Sequence, residues 1–170
     1  MKRLALVVGF LFALAPLLLA QATVFVVRHA DRGAEEPDAA LTAEGKARAE
    51  VLGQLLRDAN ITHIYTTEFQ RTAQTAAPLA RLANVQPEVV KQADLDQLTA
   101  LVRSQWRAAG ESALVVGHRA SVPKIVKALS GRDIEPLGTS EFDRLLVVTL
   151  FPNGKTNVVT LRYGARGGIQ

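Results

Sequence analysis

The apolar run VFVV at residues 24–27 limits the folds open to this chain more than any other feature of its sequence. An unbroken run of this kind, rich in β-branched residues, predicts a strand covered on both faces, as in a parallel α/β sheet. The run ends at Arg28 and His29, and ligands collect at the carboxyl ends of strands in such sheets. A guanidinium beside an imidazole there indicates phosphate chemistry, although a strand end that simply meets water would show the same pattern.

A second run of this kind, ALVVGH at residues 113–118, also ends in a histidine, His118. If the two strands are adjacent and parallel, His29 and His118 converge on one pocket at the same edge of the sheet. Taken alone, His118 would be interpreted as a core histidine bound to a backbone carbonyl. The third histidine, His63, falls in a predicted strand at residues 61–66 and is interpreted as an exposed strand residue.

The composition narrows the classes of protein and partner. The 170 residues, 48% of them hydrophobic, suffice for one domain with a full core, and no internal repeat is visible. The formal charge of +4 is mild and comes without an arginine run or interleaved aromatic residues, so no nucleic-acid partner is predicted. Because cysteine is absent, disulfides, thiolate catalysis, Cys-type zinc sites and a lipobox-type anchor are excluded.

The first 22 residues have the pattern of a secretory signal peptide. Two cations precede the uncharged stretch 4–20, and an Ala-x-Ala cleavage signal ends at Ala22. An uncleaved anchor helix is the alternative, because the apolar stretch is near the lower length for crossing a bilayer. We expect residues 23–163 to form a periplasmic or secreted domain, with membrane contact only if the segment stays attached, and residues 164–170 to be a loose tail.

Four helices are predicted, each preceded by a capping residue. The caps are Thr42, Thr67, Asp94 and Ser121, and the helices end near residues 58, 82, 109 and 129. The first helix would present Leu52, Leu55 and Leu56 as its apolar face. Arg71 falls in the first turn of the second helix, where a cation opposes the macrodipole but where backbone N–H groups favour an anion. Arg71 is therefore a candidate phosphate clamp, although most arginines are solvated surface residues.

Short strands complete the predicted sheet. Pro87 restricts a strand at residues 85–90 to a sheet edge, and an Asn-Gly pair at 153–154 joins strands 145–151 and 156–162 as a hairpin. The predicted fold class is therefore α/β, a three-layer α/β/α sandwich. Its sheet is mostly parallel, with helices on both faces and an antiparallel hairpin at the C-terminus.

Four motifs occur in a fixed order along the chain. They are RHA at residues 28–30, LTAEGKARA at 41–49, IYTTEFQRTAQTA at 64–76 and VVGHRAS at 115–121. In this order the chain resembles the histidine phosphatase superfamily, also called phosphoglycerate-mutase-like. Its length, without room for an inserted cap domain, is similar to that of the small branch-1-type members.

The resemblance implies a role for each matched residue. His29 matches the nucleophilic histidine that becomes phosphorylated. Arg28 and Arg71 match the two arginines that grip the phosphoryl oxygens, and His118 matches the second histidine, which binds the same group. Arginines supply the charge in a fork geometry, so the resemblance implies no cofactor and no metal.

Arg32 falls where the phytase-like branch has its second motif arginine, and it is a candidate substrate-binding residue. Ala34 replaces that branch's proline, however, and Arg119 follows His118 where that branch has aspartate. The phytase-like assignment therefore fails.

The general acid that would protonate the leaving group is left open. The candidates are Asp31, Glu88, Asp94 and Asp96, and the position of the acid in larger family members favours Asp94 or Asp96. Both could equally be carboxylates that only stabilise a helix N-terminus. Without an acid, substrates with a good leaving group, such as phosphohistidine, are favoured.

The resemblance implies a metal-independent phosphomonoesterase that works through a phosphohistidine on His29, and the signal-peptide pattern predicts that this enzyme is exported. The expected substrate is a phosphorylated small molecule or phospho-glycan, selected by the loops at residues 31–40 and 131–143. The alternatives are a phosphohistidine phosphatase, a phosphoglycerate-mutase-like phosphotransferase, a non-catalytic phosphate or phospho-glycan binder, and a structural protein of the cell envelope.

Overall fold

The computed structural model describes residues 21–33, 37–104 and 111–165. The predicted signal peptide lies outside these ranges, except for Gln21 and Ala22, and so do the end of the third predicted helix and residues 166–170 of the predicted tail. In the described part of the chain, no helix is both long and apolar enough to span a bilayer.

Helices and strands alternate along the described chain until a final pair of strands. The strands are β1 (Ala22–Arg28), β2 (Ile61–Thr66), β3 (Glu88–Val89), β4 (Ser112–Gly117), β5 (Arg144–Leu150) and β6 (Thr156–Arg162). The helices are α1 (Ala43–Leu56), α2 (Gln70–Ala83), α3 (Leu95–Ser104) and α4 (Ser121–Ser130).

The six strands form one sheet in the order β3-β2-β4-β1-β5-β6. The first four run parallel to one another, and β5 and β6 add an antiparallel pair at the other edge. The predicted α/β class, mostly parallel sheet and C-terminal hairpin are confirmed. Strands β1 and β4 are adjacent, with Arg28 opposite Gly117, so the two apolar runs end side by side.

The sheet is covered on both faces, which explains why its central strands do not alternate. On β4, Val115 belongs to the core formed with α3 and α4, and the next residue, Val116, belongs to the core formed with α1 and α2. On β1, Val26 and Val27 divide between the same two cores. Consecutive valines are therefore all buried, as in other parallel sheets.

Several predicted boundaries were wrong. The edge strand β3 has two residues rather than six, since its ladder with β2 pairs only Tyr65 with Glu88 and Thr66 with Val89. Helix α1 ends at Leu56, two residues before the prediction. Leu55, expected on the apolar face of α1, is 52% exposed, while Leu52 and Leu56 are buried.

Of the residues predicted to cap α1 and α2, only the first is confirmed as a helix cap. Thr42 caps α1 as predicted, because its Oγ1 accepts the Gly45 N–H at 3.1 Å. Thr67 does not cap α2, which starts at Gln70. The Gln70 N–H instead donates to Oδ1 of Asp38, at 2.7 Å, from a loop distant in sequence. The first turn of α2 is therefore satisfied by a tertiary contact that no local motif reveals.

The predicted Ser121 cap is also wrong in its position. Ser121 is the first residue of α4, and its Oγ accepts the backbone N–H of His118 at 2.9 Å. The hydroxyl therefore fixes the residue that follows β4. Helix α3 starts directly after Asp94, as predicted, and the Asp94 carbonyl accepts the Leu98 N–H at 3.0 Å.

Gly45 lies where α1 crosses the loop that follows His29. A Cβ atom at residue 45 would overlap the backbone carbonyl of Asp31. The close approach brings the start of α1 onto this loop, where the Thr42 N–H donates to the Asp31 carbonyl at 3.0 Å. Glycine at this helical position therefore serves contact with the loop, since glycine lowers helix stability.

We expect Gly45→Ala to lower the free energy of unfolding by about 1–3 kcal/mol, because the added methyl group forces the loop away from α1. Helix propensity alone predicts the opposite sign, a gain of about 1 kcal/mol. Urea unfolding monitored by circular dichroism distinguishes the two. The exposed helix residue Gln54, changed to alanine, is the matched control and should shift the value by less than about 0.5 kcal/mol. A more stable Gly45→Ala protein would rule out the steric explanation.

Candidate active site

The two histidines predicted to converge do lie together. His29 follows β1 and its backbone N–H donates to the Gly117 carbonyl at 2.9 Å, so the β1–β4 ladder continues to the histidine itself. His118 follows β4 directly, and the two ring centroids are 5.3 Å apart in an edge-to-face arrangement. Both residues are buried, with exposed fractions of 4% and 7%. The parallel pairing of the strands therefore produces the juxtaposition that their sequences predict.

The His29 ring is held in one tautomer. Its Nδ1 lies 2.8 Å from the carbonyl oxygen of Ala30, which can only accept, so Nδ1 carries the proton and Nε2 a lone pair. The Ala30 N–H donates in turn to Oγ1 of Thr75 at 2.9 Å, and that hydroxyl donates to the Arg71 carbonyl at 2.6 Å. Helix α2 therefore orients the backbone on which the His29 ring depends.

The His118 ring is also held from both sides. An Nη2 of Arg71 lies 3.4 Å from Nδ1, and Oγ1 of Thr67 lies 2.9 Å from Nε2. Because a guanidinium can only donate, Nδ1 accepts and Nε2–H donates to Thr67. Arg71 therefore fixes the tautomer of His118, and the Thr67 hydroxyl accepts the Nε2–H, which gives a role to a threonine that was predicted to cap a helix.

Arg28 is anchored by backbone carbonyls. Its Nη1 donates to the carbonyl oxygens of Gly138 at 3.0 Å, Thr139 at 2.8 Å and Glu141 at 3.1 Å. Its guanidinium carbon lies 3.9 Å from the ring centroid of Phe142. The loop at residues 131–143, predicted to select the substrate, therefore has a direct structural role in holding this arginine.

Arg71 is held in a similar way in the first turn of α2. Its Nη1 donates to the Pro37 carbonyl at 2.9 Å, and its guanidinium carbon lies 4.1 Å from the ring centroid of Phe69. The Nε atoms of Arg28 and Arg71 are buried, and neither has a hydrogen-bond partner among the described residues. Each guanidinium thus retains donor capacity that the described part of the protein does not use.

Burial and the neighbouring cations keep both imidazoles neutral. Burial, together with Arg28, His118 and Arg71, lowers the pKa of His29 to about 3 against the opposing effect of its bond to Ala30. Burial and the charge of Arg71 lower the pKa of His118 to about 4. Burial also lowers the pKa of Arg28 to about 10, so this arginine stays charged at neutral pH.

These side chains surround one cavity of about 360 Å³, within the size range of small-molecule sites. Its lining residues are Arg28, His29, Arg32, Pro37, Arg71, Gln92, His118, Arg119 and Ala120. Arg32, the fifth predicted site residue, is among them, from the other loop that was expected to select the substrate. None of the lining residues that the structure describes is a carboxylate.

The four predicted acid candidates do not line this cavity. Asp31 forms an ion pair of 2.6 Å with the buried Arg48. The other three are exposed: Glu88 lies on the edge strand β3, Asp94 directly before α3, and Asp96 in the first turn of α3. The carboxylate whose charge acts on both His118 and Arg71 is Glu68, which opposes the lowering of each pKa that burial causes. In the described ranges, no group of three or more His, Cys, Asp or Glu residues could hold a metal ion.

A larger cavity of about 440 Å³ lies at the opposite end of the sheet, beside Ala22 and the turn between β5 and β6. Its lining residues include Arg103 and Lys155 but no histidine or carboxylate. The groups suited to phosphate chemistry are thus gathered in the smaller cavity.

The sequence analysis did not predict that four residues contact the site: Thr67, which was predicted only as a helix cap, Phe69, Thr75 and Phe142. Thr75 follows Arg71 by four residues, which places both on one face of α2, so the helical period could have linked it to the site. Thr67 and Phe69 lie in the motif around Arg71 but gave no signal of their contacts. Phe142 reaches Arg28 only through the folded path of its loop.

Comparison with known proteins is consistent with this geometry. Residues 24–100, which include His29 and Arg71, match the model of the histidine phosphatase superfamily (branch 1). The probable phosphoglycerate mutase GpmB of Erwinia tasmaniensis is 34% identical over 104 residues, 51% of this chain and 48% of the relative. The chain thus spans about half the length of this curated relative.

Solved structures share the fold. The protein histidine phosphatase SixA complexed with tungstate superposes with a TM-score of 0.70 at 21% identity, covering 82% of this chain and 96% of that protein. A mycobacterial glucosyl-3-phosphoglycerate phosphatase also gives 0.70, at 11% identity, covering 85% and 100%. Residues 24–100 thus match the model of the histidine phosphatase superfamily, and the solved structures share the fold of this chain, so the chain is similar to that superfamily in motifs and in fold.

We expect His29 to remain neutral well below the ordinary histidine pKa of about 6.5, because its pKa is lowered to about 3. An unfolded chain binds this proton below about pH 6.5 and the folded chain does not. The stability contributed by neutral His29 is therefore complete above that pH and is lost as the pH falls from about 6.5 towards 3.

An NMR titration of the ring in phosphate-free buffer, assigned with His29→Gln, measures the pKa directly. The His29 resonances should stay constant between pH 7 and pH 5. A midpoint near 6.5 would show that the ring is not shielded from solvent as the structure indicates.

Proposed function

We propose that this protein is an exported phosphomonoesterase that hydrolyses a phosphate ester through a phosphohistidine on His29. The state of the His29 ring is the observation that carries the proposal. Its Nδ1–H is held by Ala30, burial keeps it neutral, and Arg28 and Arg71 lie close enough to act on its pKa. A neutral imidazole with an Nε2 lone pair is a nucleophile at neutral pH.

The reaction has two balanced steps. Nε2 of His29 attacks phosphorus, the N–P bond forms as the P–O bond to the leaving group breaks, and the leaving oxygen takes a proton from solvent. Water then attacks the phosphoryl group, the N–P bond breaks, phosphate departs and the proton of the water is released. Arg28 and Arg71 hold the equatorial oxygens in both steps, together with His118, which exchanges its Nε2–H bond to Thr67 for one to a phosphoryl oxygen. Phosphoryl transfer needs positioning and charge stabilisation above all.

The charges in the cavity suit this substrate. A phosphomonoester carries about two negative charges near neutral pH, by analogy with protein-bound phosphate. Arg28 and Arg71 supply two positive charges in a fork geometry that fits phosphate oxygens. Both are held by carbonyl oxygens rather than by carboxylates, so their charge is available to an anion.

A phosphohistidine phosphatase is the second candidate, and one observation favours it. Among the residues that the structure describes, no carboxylate lines the cavity, which favours a leaving group that needs no strong acid. The SixA structure that shares this fold is described as a protein histidine phosphatase. A pure phosphate binder is the weaker alternative, because it would need no nucleophile.

Export is part of the proposal and is supported by the signal-peptide pattern of residues 1–22. A periplasmic or secreted hydrolase would act on a phosphorylated small molecule or phospho-glycan outside the cytoplasm. If the segment stays attached, the same domain would face outward from the membrane.

We expect wild-type protein, incubated with a ³²P-labelled aryl phosphate and a chelator, to acquire an acid-labile, alkali-stable label. His29→Gln should acquire none and should lose on the order of 10³-fold or more in kcat. His63→Gln is the matched control, because His63 lies on β2 outside the cavity lining, and it should keep both label and turnover. Full turnover by His29→Gln, or loss of wild-type turnover with the chelator, would contradict the proposed mechanism.

We expect kcat/KM to rise steeply as the leaving group of an aryl phosphate becomes more acidic, because none of the cavity-lining residues in ranges 21–33, 37–104 and 111–165 is a carboxylate. Between alkyl phosphates and nitrophenyl phosphate the difference should reach roughly 10²–10⁴-fold, the factor that a general acid would otherwise supply. Steady-state assays across the series measure it.

The same series of substrates also tests Glu68→Gln. Glu68 is not among the acid candidates predicted from the sequence, although its charge acts on His118 and Arg71. An equal effect of Glu68→Gln on every substrate is expected. A loss confined to alkyl phosphates would identify Glu68 as a general acid and would overturn this interpretation.

A further inference from the structure

We propose that two copies of this chain associate by pairing their β6 strands antiparallel across a two-fold axis, which joins their sheets into one. The interface is the outer edge of β6 together with four exposed apolar side chains beside it, those of Val51, Leu55, Val159 and Leu161. We call it the β6 surface. It lies at the edge of the sheet, outside the lining of the catalytic cavity, and the inference does not rest on the proposed function.

Val159 and Leu161 place apolar groups on the α1 face of β6. Val159 lies opposite Val147 on β5, and Leu161 lies opposite Leu145. Both residues of β5 pack in or against the core beneath α1 and α2. Because residues opposite one another in an antiparallel pair share a face, Val159 and Leu161 lie on this face too. They are nevertheless 43% and 47% exposed.

Val51 and Leu55 extend the same surface from α1. Glu50 marks the side of α1 that meets α2, through an ion pair with Arg81. Arg48 marks the other side, because its Nη1 donates to two backbone carbonyls just after β6. Val51 and Leu55 follow Arg48 by three and seven residues and share its side of the helix. Apolar side chains gathered in this way mark interaction sites more often than single exposed ones.

The two edges of the sheet differ in their protection against pairing. At one edge, β3 has two residues and follows Pro87, so it offers almost no ladder. At the other edge, β6 has seven residues, pairs with β5 without a bulge, and contains no proline and no charge before Arg162. Short strands, charges, prolines and bulges are the means by which proteins prevent edge strands from pairing. The β6 edge lacks them.

Alternate residues of β6 direct their backbone groups away from β5. The Tyr163 N–H donates to the Asp143 carbonyl, so the alternation along the ladder makes the odd-numbered residues of β6 the ones bonded to β5. The even-numbered residues 156–162 therefore direct their N–H and C=O groups outward. In the part of the chain that the structure describes, no strand pairs with this side of β6.

One antiparallel register uses all of these outward groups. With Val159 on the two-fold axis, residue 158 of one copy lies opposite residue 160 of the other, and residue 156 lies opposite residue 162. All of these are hydrogen-bonded pairs, whereas Val159 meets its counterpart in a non-bonded pair, where side chains are closest. Leu161 lies diagonal to Val159 of the second copy, so the apolar groups of both copies join.

The charges favour this orientation, with a second copy as the occupant. Arg162 is the charged residue of β6, and it pairs with Asp143 and Glu141. In the antiparallel register it lies opposite Thr156, whereas an in-register parallel pair would set it beside its own counterpart. The strand thus matches its own reverse in backbone groups and in charge, as an interface of two identical surfaces requires.

Seven paired residues span about 23 Å. With the apolar flank, such an interface belongs to the small end of specific contacts, so we expect a reversible dimer with a dissociation constant on the order of 10 µM. Because β6 and β1 are both antiparallel to β5, they run in the same direction, and the two catalytic cavities would open at opposite ends of the joined sheet.

Sedimentation equilibrium of wild-type protein at low ionic strength measures the dissociation constant. Val159→Lys should raise it at least about tenfold, and so should Val159→Glu, because each sets like charges opposite one another on the axis. An equimolar mixture of the two variants should associate at least about ten times more tightly than either alone, since opposite charges then meet. This recovery also shows that both variants are folded.

Val89→Lys is the matched control, because Val89 is 61% exposed on β3, at the opposite edge of the sheet. It should keep the wild-type dissociation constant. A wild type that stays monomeric at about 500 µM would overturn the proposal, because this concentration is far above the expected constant. Dissociation by Val89→Lys but not by Val159→Lys would assign the interface to β3 and would also overturn it.

The register has its own test, because the chain contains no cysteine. Val159→Cys should form a disulfide-linked dimer on mild oxidation, since the two copies of residue 159 meet across the axis. Asn157→Cys should not, because its two copies would lie about 13 Å apart along the strands. Rapid linking through residue 157 but not through residue 159 would show that the strands do not pair as proposed.

Discussion

The parallel pairing of β1 with β4 is the interaction on which the rest of the site depends. It places Arg28 opposite Gly117, so that the two chains leave the sheet at the same level and His29 and His118 meet. Gly117 is required there, because a Cβ atom would lie 2.9 Å from Oγ of Ser121, which holds the His118 N–H. Both faces of the pairing are covered by helices, so its register is fixed by two hydrophobic cores rather than one.

Buried cations and neutral imidazoles support each other in this site. Removing a guanidinium from water is costly unless its donors are satisfied, and Arg28 meets this need with three carbonyl oxygens. Carbonyl dipoles hold the charge without cancelling it, whereas a carboxylate would have formed a neutral pair, as Asp31 does with Arg48. The uncancelled charge, with burial, keeps His29 unprotonated. The same field that attracts a phosphate therefore maintains the nucleophile.

The part of the site that follows from the sheet could be predicted from the sequence. Two apolar runs ending in histidines predicted the pocket, and the first-turn position of Arg71 predicted a side chain directed to it. The contacts made by loops could not be predicted. Asp38 satisfies the first turn of α2, and Phe142 lies against Arg28, because of backbone paths that have no period and no local motif. The four acid candidates lie outside the cavity lining for a related reason, since proximity in sequence to a strand end does not say which side of a loop a carboxylate will occupy.

The fold itself does not choose the substrate. A protein histidine phosphatase and a glucosyl-3-phosphoglycerate phosphatase superpose on this chain with the same TM-score of 0.70, at sequence identities of 21% and 11%. A shared fold can host unlike functions, so selection must come from residues that the strand ladder does not dictate. In this chain such residues surround the mouth of the cavity, where Arg32 comes from the loop after His29 and Arg119 from the turn before α4. Both belong to short connections that can change without disturbing either core, whereas the histidines and the inner arginines are tied to the ends of β1 and β4 and to α2.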